Sequence, residues 1–195
     1  MPGMEIGILA LQGAFREHQN MLKDCGVRTR EIRVPEQLEG IGGLIIPGGE
    51  STTIGKLMVE FDLLGPVREM VLAGLPVFGT CAGLVLLAKE IEGSSQPRLG
   101  VMDMEVVRNG FGRQVDSFET DLDISALGYT PFRAVFIRAP YIKTISPNIG
   151  ILAVYQERIV FARQGNLLAC SFHPELSSDT RVHKYFLEMV ASIGK

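Results

Sequence analysis

The chain has 195 residues, of which 46% are hydrophobic and 21% charged, a composition that excludes disorder and gives enough length for one well-buried core but little for two. A net charge of −3 and a pI near 5.7 provide no basic face to displace counterions, so nucleic acid is excluded as a partner. No apolar run reaches the roughly 18 to 20 residues that cross a bilayer, and the first residues lack a basic segment followed by an apolar stretch, so no membrane contact and a cytoplasmic location are expected.

The first apolar run, Met4 to Leu11, reads as a strand that Gln12-Gly13 breaks before a helix from Ala14 to about Asp24, closed by Gly26. Strands follow at Arg30 to Val34, Gly43 to Pro47 and Pro76 to Gly79, with helical patterns between them. Short apolar strands alternating with helices imply a doubly wound, mostly parallel α/β sheet flanked by helices. After Leu99 the rhythm changes to short alternating runs, at 134–138, 151–155 and 158–162, which predict antiparallel strands in the C-terminal half. Gly93 to Arg98 reads as a surface loop between the halves, and 179–193 as a final helix with a stripe of Val182, Phe186, Met189 and Val190. One domain over 1–195 is expected.

The strand ending at Pro47 runs into Gly48-Gly49-Glu50-Ser51-Thr52-Thr53. Ligands of such sheets bind beyond the carboxyl ends of the strands, and two glycines allow close backbone approach, so the N–H of Gly49 is a candidate oxyanion donor. A type II turn with a Ser or Thr helix cap is compatible with that role. A phosphate loop is excluded, because the lysine after the second glycine is absent.

The strand Pro76 to Gly79 leads into Gly79-Thr80-Cys81-Ala82-Gly83 and then the apolar helical run Leu84 to Ala88. This is the G-x-nucleophile-x-G spacing of a strand-turn-helix elbow, in which the residues two before and two after the nucleophile approach closely and must lack a Cβ. A helix N-terminus favours the thiolate of Cys81, and the N–H of Ala82 offers a further oxyanion donor. A tight turn in which cysteine merely fills space is the plain alternative. Cys25 and Cys170, by contrast, read as structural thiols, and none of the three cysteines has metal-ligand spacing, so no metal, disulfide or cofactor is expected.

Near the C-terminus, Leu167 to Phe172 reads as a strand running into His173-Pro174-Glu175. Proline keeps His173 extended, so His173 and Glu175 fall on one side of the chain, where a carboxylate can orient an imidazole acting as base. Alone the pair would be read as a loop cap; beside a cysteine elbow it completes a nucleophile-base-acid set, provided that the fold brings the two together.

These three motifs, Pro47 to Thr53, Phe78 to Gly83 and Ser171 to Glu175, resemble those of the class I glutamine amidotransferases. Three further segments, Leu11 to His18, Arg108 to Glu119 and Phe136 to Pro140, are similar to the glutaminase subunits of pyridoxal 5′-phosphate synthases. The likeness runs from about Glu5 to the final helix, and only Met1 to Gly3 look like extra residues. It implies a class I amidotransferase-like, flavodoxin-like fold and hydrolysis of L-glutamine, with Cys81 as nucleophile, His173 as base and Glu175 as its partner. Gly49, Glu50, Ser51, Arg108, Ile137 and Arg138 then match glutamine-binding positions, and of these Arg138, at a strand end, suits a carboxylate on its own merits. The resemblance also implies a hetero-oligomer with a synthase subunit that consumes the ammonia, together with a pentose phosphate and a triose phosphate, in vitamin B6 synthesis. Gln12 to His18, opening at the same sheet edge as Cys81, is expected to form part of the docking face. Another cysteine hydrolase or glyoxalase-like enzyme, or a redox-sensing regulatory module, would share the elbow without needing the His-Pro-Glu pair.

Overall fold

The computed structural model describes residues 4–111 and 117–193. Its frame is set by four short, apolar, parallel strands, Glu5–Leu9 (β1), Arg28–Ile32 (β2), Gly43–Ile46 (β3) and Val77–Thr80 (β4), in the spatial order β2-β1-β3-β4. Every residue of β3 and β4 is buried, as parallel strands covered on both faces require. Leu44 and Ile46 point into one core with Val77, whereas Ile45 points into the opposite core with Phe78. The helices Ser51–Glu60 (α2), Leu64–Leu72 (α3) and Ala82–Leu87 (α4) cover the first face. Phe15–Asp24 (α1) and Arg181–Ile193 (α5) cover the second.

The sheet continues through Leu167–Cys170 (β12), parallel to β4, and then through Arg158–Gln164 (β11), Tyr141–Ile145 (β9), Met102–Val107 (β6) and Ala88–Ile91 (β5). Gly150–Tyr155 (β10) pairs with β11, and Ser117–Leu122 (β7) with Phe132–Ile137 (β8) forms a separate antiparallel hairpin. β11 is antiparallel to β9, β10 and β12. The architecture is therefore the mostly parallel α/β sheet with antiparallel strands in the C-terminal half that the sequence implies. The stripe Val182, Phe186, Met189 and Val190 of α5 is buried as predicted.

Several boundaries differ. The second strand starts at Arg28 and ends at Ile32, two residues earlier than the sequence suggests, because Ile32 is its buried anchor while Val34 is exposed. The apolar run after Gly83 ends as helix at Leu87, and Ala88 opens β5, which pairs in parallel with β6. All of Ala82 to Ala88 is buried, so no solvent-facing residue marks the change from helix to strand. The stretch Gly93 to Arg98 is only partly a surface loop, since Gln96 is buried within it. Residues 112–116 of the Arg108 to Glu119 segment lie outside the described residues.

The expected contact between the elbow glycines is present: a Cβ on Gly79 would strike the backbone of Gly83, and a Cβ on Gly83 would strike the carbonyl oxygen of Ile46. Backbone cannot yield as a side-chain tip can. Gly83→Ala is expected to cost at least about 1 to 3 kcal/mol, read as a lower urea midpoint with unchanged slope.

Candidate active site

Three neighbouring parallel strands end level with one another, for Gly79 of β4 stands opposite Ile46 of β3, and Thr80 opposite Cys170 of β12. The chain leaving each strand therefore meets the others at one edge: Gly48 to Glu50 after β3, Cys81 after β4, and His173 to Glu175 after β12. Gly48 to Glu50, Cys81 and His173, together with Gln12, Ala14, Arg108, Asn109, Ile137 and Arg138, line one cleft of about 400 Å³. Every predicted site residue reaches that cleft except Glu175, which lies buried behind His173.

Cys81 stands at the turn with φ 48° and ψ −100°, a left-handed backbone that a side-chain-bearing residue adopts only when its surroundings impose it. Its N–H donates to the Cys170 carbonyl at 2.8 Å, and its sulfur lies 3.8 Å from the carbonyl oxygen of Ile137. Ala82 is the first residue of α4, where a backbone N–H has no acceptor within its own helix.

His173 Nδ1 and Glu175 Oε1 are 2.7 Å apart. Pro174 does not carry an extended chain between them, as the sequence suggested; it opens a one-turn 3-10 helix, Pro174–Leu176, which folds the carboxylate back under the imidazole. Burial works against the imidazolium, but hydrogen bonds to the Cys81 sulfur and to Glu175 outweigh it and push the pKa of His173 up to about 10. Burial likewise opposes ionisation of Glu175, yet His18 and His173 hold its carboxyl below the usual range. The imidazole is thus held as a cation with the Glu175 carboxylate on one side and the Cys81 sulfur on the other.

The glycine loop packs for proximity. Neither Gly48 nor Gly49 has a positive φ, so the expected type II turn is absent; instead, a Cβ on Gly48 would strike the His173 ring, and one on Gly49 the amide oxygen of Gln12. The helix cap is also not Ser51 or a threonine. It is Glu50, whose carboxylate accepts from the N–H groups of Thr52 and Thr53 at 3.1 and 2.7 Å, and those bonds lower its pKa despite the opposing effect of burial. Arg108 is held by Gln96 and Thr52, its Nη1 donating to Gln96 Oε1 at 2.9 Å and to Thr52 Oγ1 at 3.1 Å. Arg138 and Asn109, both with positive φ, present their side chains from the ends of β8 and β6.

Sequence reasoning missed Gln96, which anchors Arg108 from within a stretch read as loop. It also misplaced His18, whose position in the supposed docking segment turns out to be fully buried, along with His183. The available signal was periodic: His18 falls one helical turn before Met21 and Leu22, the buried face of α1.

Burial lowers the pKa of His18, and it lowers that of His183 from 6.5 to about 3 with His18 adding to the effect. Both are neutral when folded and take up protons on unfolding, so their contribution to stability is complete above pH 6.5 and is lost as pH falls towards about 3. His183→Gln is therefore expected to flatten the acid limb of the stability curve in that window, measured by urea denaturation at successive pH values.

The model of the SNO glutamine amidotransferase family matches residues 8–192. A protein of Moorella thermoacetica named pyridoxal 5′-phosphate synthase subunit PdxT is 66% identical over 187 residues, covering 96% of this chain and 100% of its own length. The like-named protein of Thermotoga petrophila is 54% identical over 187 residues, again covering 96% and 100%. A crystal structure described as glutamine amidotransferase superposes with a TM-score of 0.91 at 52% identity, covering 95% of this chain and 98% of that one. At 14% identity, PurLQS from Thermotoga maritima shares the fold with a TM-score of 0.73 over 96% of this chain and 99% of its own. A match spanning nearly the whole sequence, on a sheet whose edge gathers the cysteine, histidine and glycine loops, means that this chain belongs to the SNO glutamine amidotransferase family.

Proposed function

We propose that the chain is a single glutaminase domain that hydrolyses L-glutamine to L-glutamate and ammonia as the amidohydrolase subunit of a pyridoxal 5′-phosphate synthase. The observation that carries this reading is the convergence of Cys81, His173 and the Gly48-Gly49 loop on one cleft, with Glu175 bonded to the far side of the imidazole.

The chemistry follows from the charges. Beside an imidazolium, the Cys81 sulfur acts as thiolate and attacks the side-chain amide carbon of glutamine. The oxyanion forms between the N–H of Ala82, at the start of α4, and that of Gly49, two backbone donors aimed at the charge that develops. His173 gives its Nε2 proton to the departing nitrogen, so ammonia leaves and a thioester remains. The neutral imidazole then takes a proton from water as the water oxygen attacks the thioester; the C–S bond breaks, glutamate leaves and the thiolate–imidazolium pair is restored. Arg138 and Arg108, at the cleft mouth, suit the α-carboxylate of the substrate. Glu50 serves chiefly by capping α2 and so fixing the loop that carries Gly49. Ser51 and Ile137 complete the wall.

Ammonia released into water would be lost, so a synthase subunit docks at the cleft edge and receives it. In α1, Arg16 and Glu17 face solvent while His18 points inward, which narrows the docking face expected from Gln12 to His18 to its outward residues. No helix among the described residues is long and apolar enough to cross a membrane.

Cys81→Ala and Cys81→Ser are expected to reduce glutamate release, assayed with the cognate synthase present, by at least ~1,000-fold while the circular dichroism spectrum stays that of the parent. A rate unchanged by either substitution refutes the assignment. Charge reversal at Arg16 or Glu17 is expected to weaken co-purification with the synthase without altering the thermal midpoint of the isolated chain.

A further inference from the structure

The chain contains three histidines, and all three gather in one buried cluster behind the Cys81 elbow. His18 on α1 and His183 on α5 are each 0% exposed, joined by a 2.9 Å contact between His18 Nδ1 and His183 Nε2. On its other side, His18 Nε2 lies 3.1 Å from Thr80 Oγ1, in the residue preceding Cys81, and 3.4 Å from Glu175 Oε2. Glu175 Oε1 is taken by His173, and Oε2 has no well-aligned hydrogen-bond donor among the described residues, so His18 Nε2, shared with Thr80, is what it has.

These contacts fix the protons. A buried carboxylate oxygen demands a donor, hence His18 Nε2 carries a hydrogen. Burial keeps His18 neutral, so its Nδ1 is a lone pair and must accept from His183 Nε2–H. His183 is neutral for the same reason, and its Nδ1 is left as a bare acceptor, which matches the absence of any partner for that atom among the described residues. The opposite assignment would leave a buried N–H unpaired at His183 and aim two lone pairs at each other between His18 and the carboxylate, which costs more. The described residues offer no geometry for a metal ion here, and neither His18 nor His183 reaches the cleft that His173 lines. Its role is therefore internal.

We propose that His18 and His183 are positioning residues of the site: donation from His183 to His18 holds His18 Nε2 against Glu175 Oε2, and that 3.4 Å contact keeps the carboxylate turned so that Oε1 stays on His173 Nδ1. The inference rests on the glutaminase reading for its kinetic consequence but not for its structural one. Without His18 the carboxylate has one anchored oxygen, can rotate, and supports the His173 cation less well. The ionisable groups that face His18 are Glu175 and His173 from the loop after β12, His183 from α5, and Glu17 on its own helix.

The test compares His18→Gln, whose amide nitrogen can stand where imidazole Nε2 stood, with His18→Asn, one methylene too short, and His18→Phe, which fills the space without a donor. Two readouts are taken: kcat and KM for glutamate release in the complex with the cognate synthase, and the NMR titration of the His173 ring in the isolated chain. For Asn and Phe, kcat is expected to fall by about 10- to 100-fold, the scale on which metal sites lose activity when the partner orienting a ligand is removed, with KM little changed and the His173 midpoint moved down. Gln is expected to recover most of both. Equal kcat and equal His173 midpoints across the parent, Gln and Asn overturn the proposal, as does a loss that tracks thermal stability alone with no advantage for Gln. If the parent complex releases no glutamate, the glutaminase reading fails, and the His173 titration still decides whether His18 holds Glu175. Should the Phe chain not fold, the Gln and Asn pair carries the comparison.

Discussion

Cys170 lies opposite Thr80 in a parallel strand pair, and the N–H of Cys81 extends that ladder by donating to the Cys170 carbonyl at 2.8 Å. The height of the nucleophile above the sheet is thereby tied to the strand that delivers the base. A slip of β12 by one residue against β4 would turn Leu168 and Cys170 out of the core they share with Phe78, and Leu167 and Ala169 out of the other, so the hydrophobic alternation guards the register. Geometry within the cleft is secured by core packing several residues away from any reacting atom.

The electrostatic arrangement behind the cleft follows from the same burial. Glu175 and His173 are both largely withdrawn from water, which would ordinarily neutralise each of them. They remain ionised because each has an opposite charge or a hydrogen-bond partner beside it. Breaking one contact of such a set leaves an unpaired group in a medium of low polarity, so its members act as a unit.

How much of this was readable without coordinates depended on whether a feature was local. The elbow glycines 79 and 83, the loop glycines 48 and 49, and the His173-Pro174-Glu175 run each announce themselves over a few residues, and the alternation of apolar strands with helices predicts that their ends coincide. What escaped was either long-range or masked by uniform burial. Gln96 reads as a loop residue because its partners, Thr52 and Arg108, come from distant segments. The change from α4 to β5 hides in a stretch with no exposed residue. The bond between His173 and Glu175 was anticipated, but through an extended chain; the tight turn that Pro174 opens achieves it by another backbone route. His18 was misassigned because a polar residue beside Arg16 and Glu17 looks like surface until the helical phase is set by Met21 and Leu22.

The three thiols of the chain sit in three dielectric settings. Cys170 is sealed in the interior, with its pKa driven well up by burial, and Cys25 is half-buried at the end of α1 with its pKa raised for the same reason. Cys81 alone borders a cleft rimmed by two guanidinium groups. Selectivity among these sulfurs is accordingly a matter of a reagent's outline and charge more than of its intrinsic electrophilicity: an anionic, amino-acid-sized warhead is steered to one atom, and small neutral alkylating agents discriminate less.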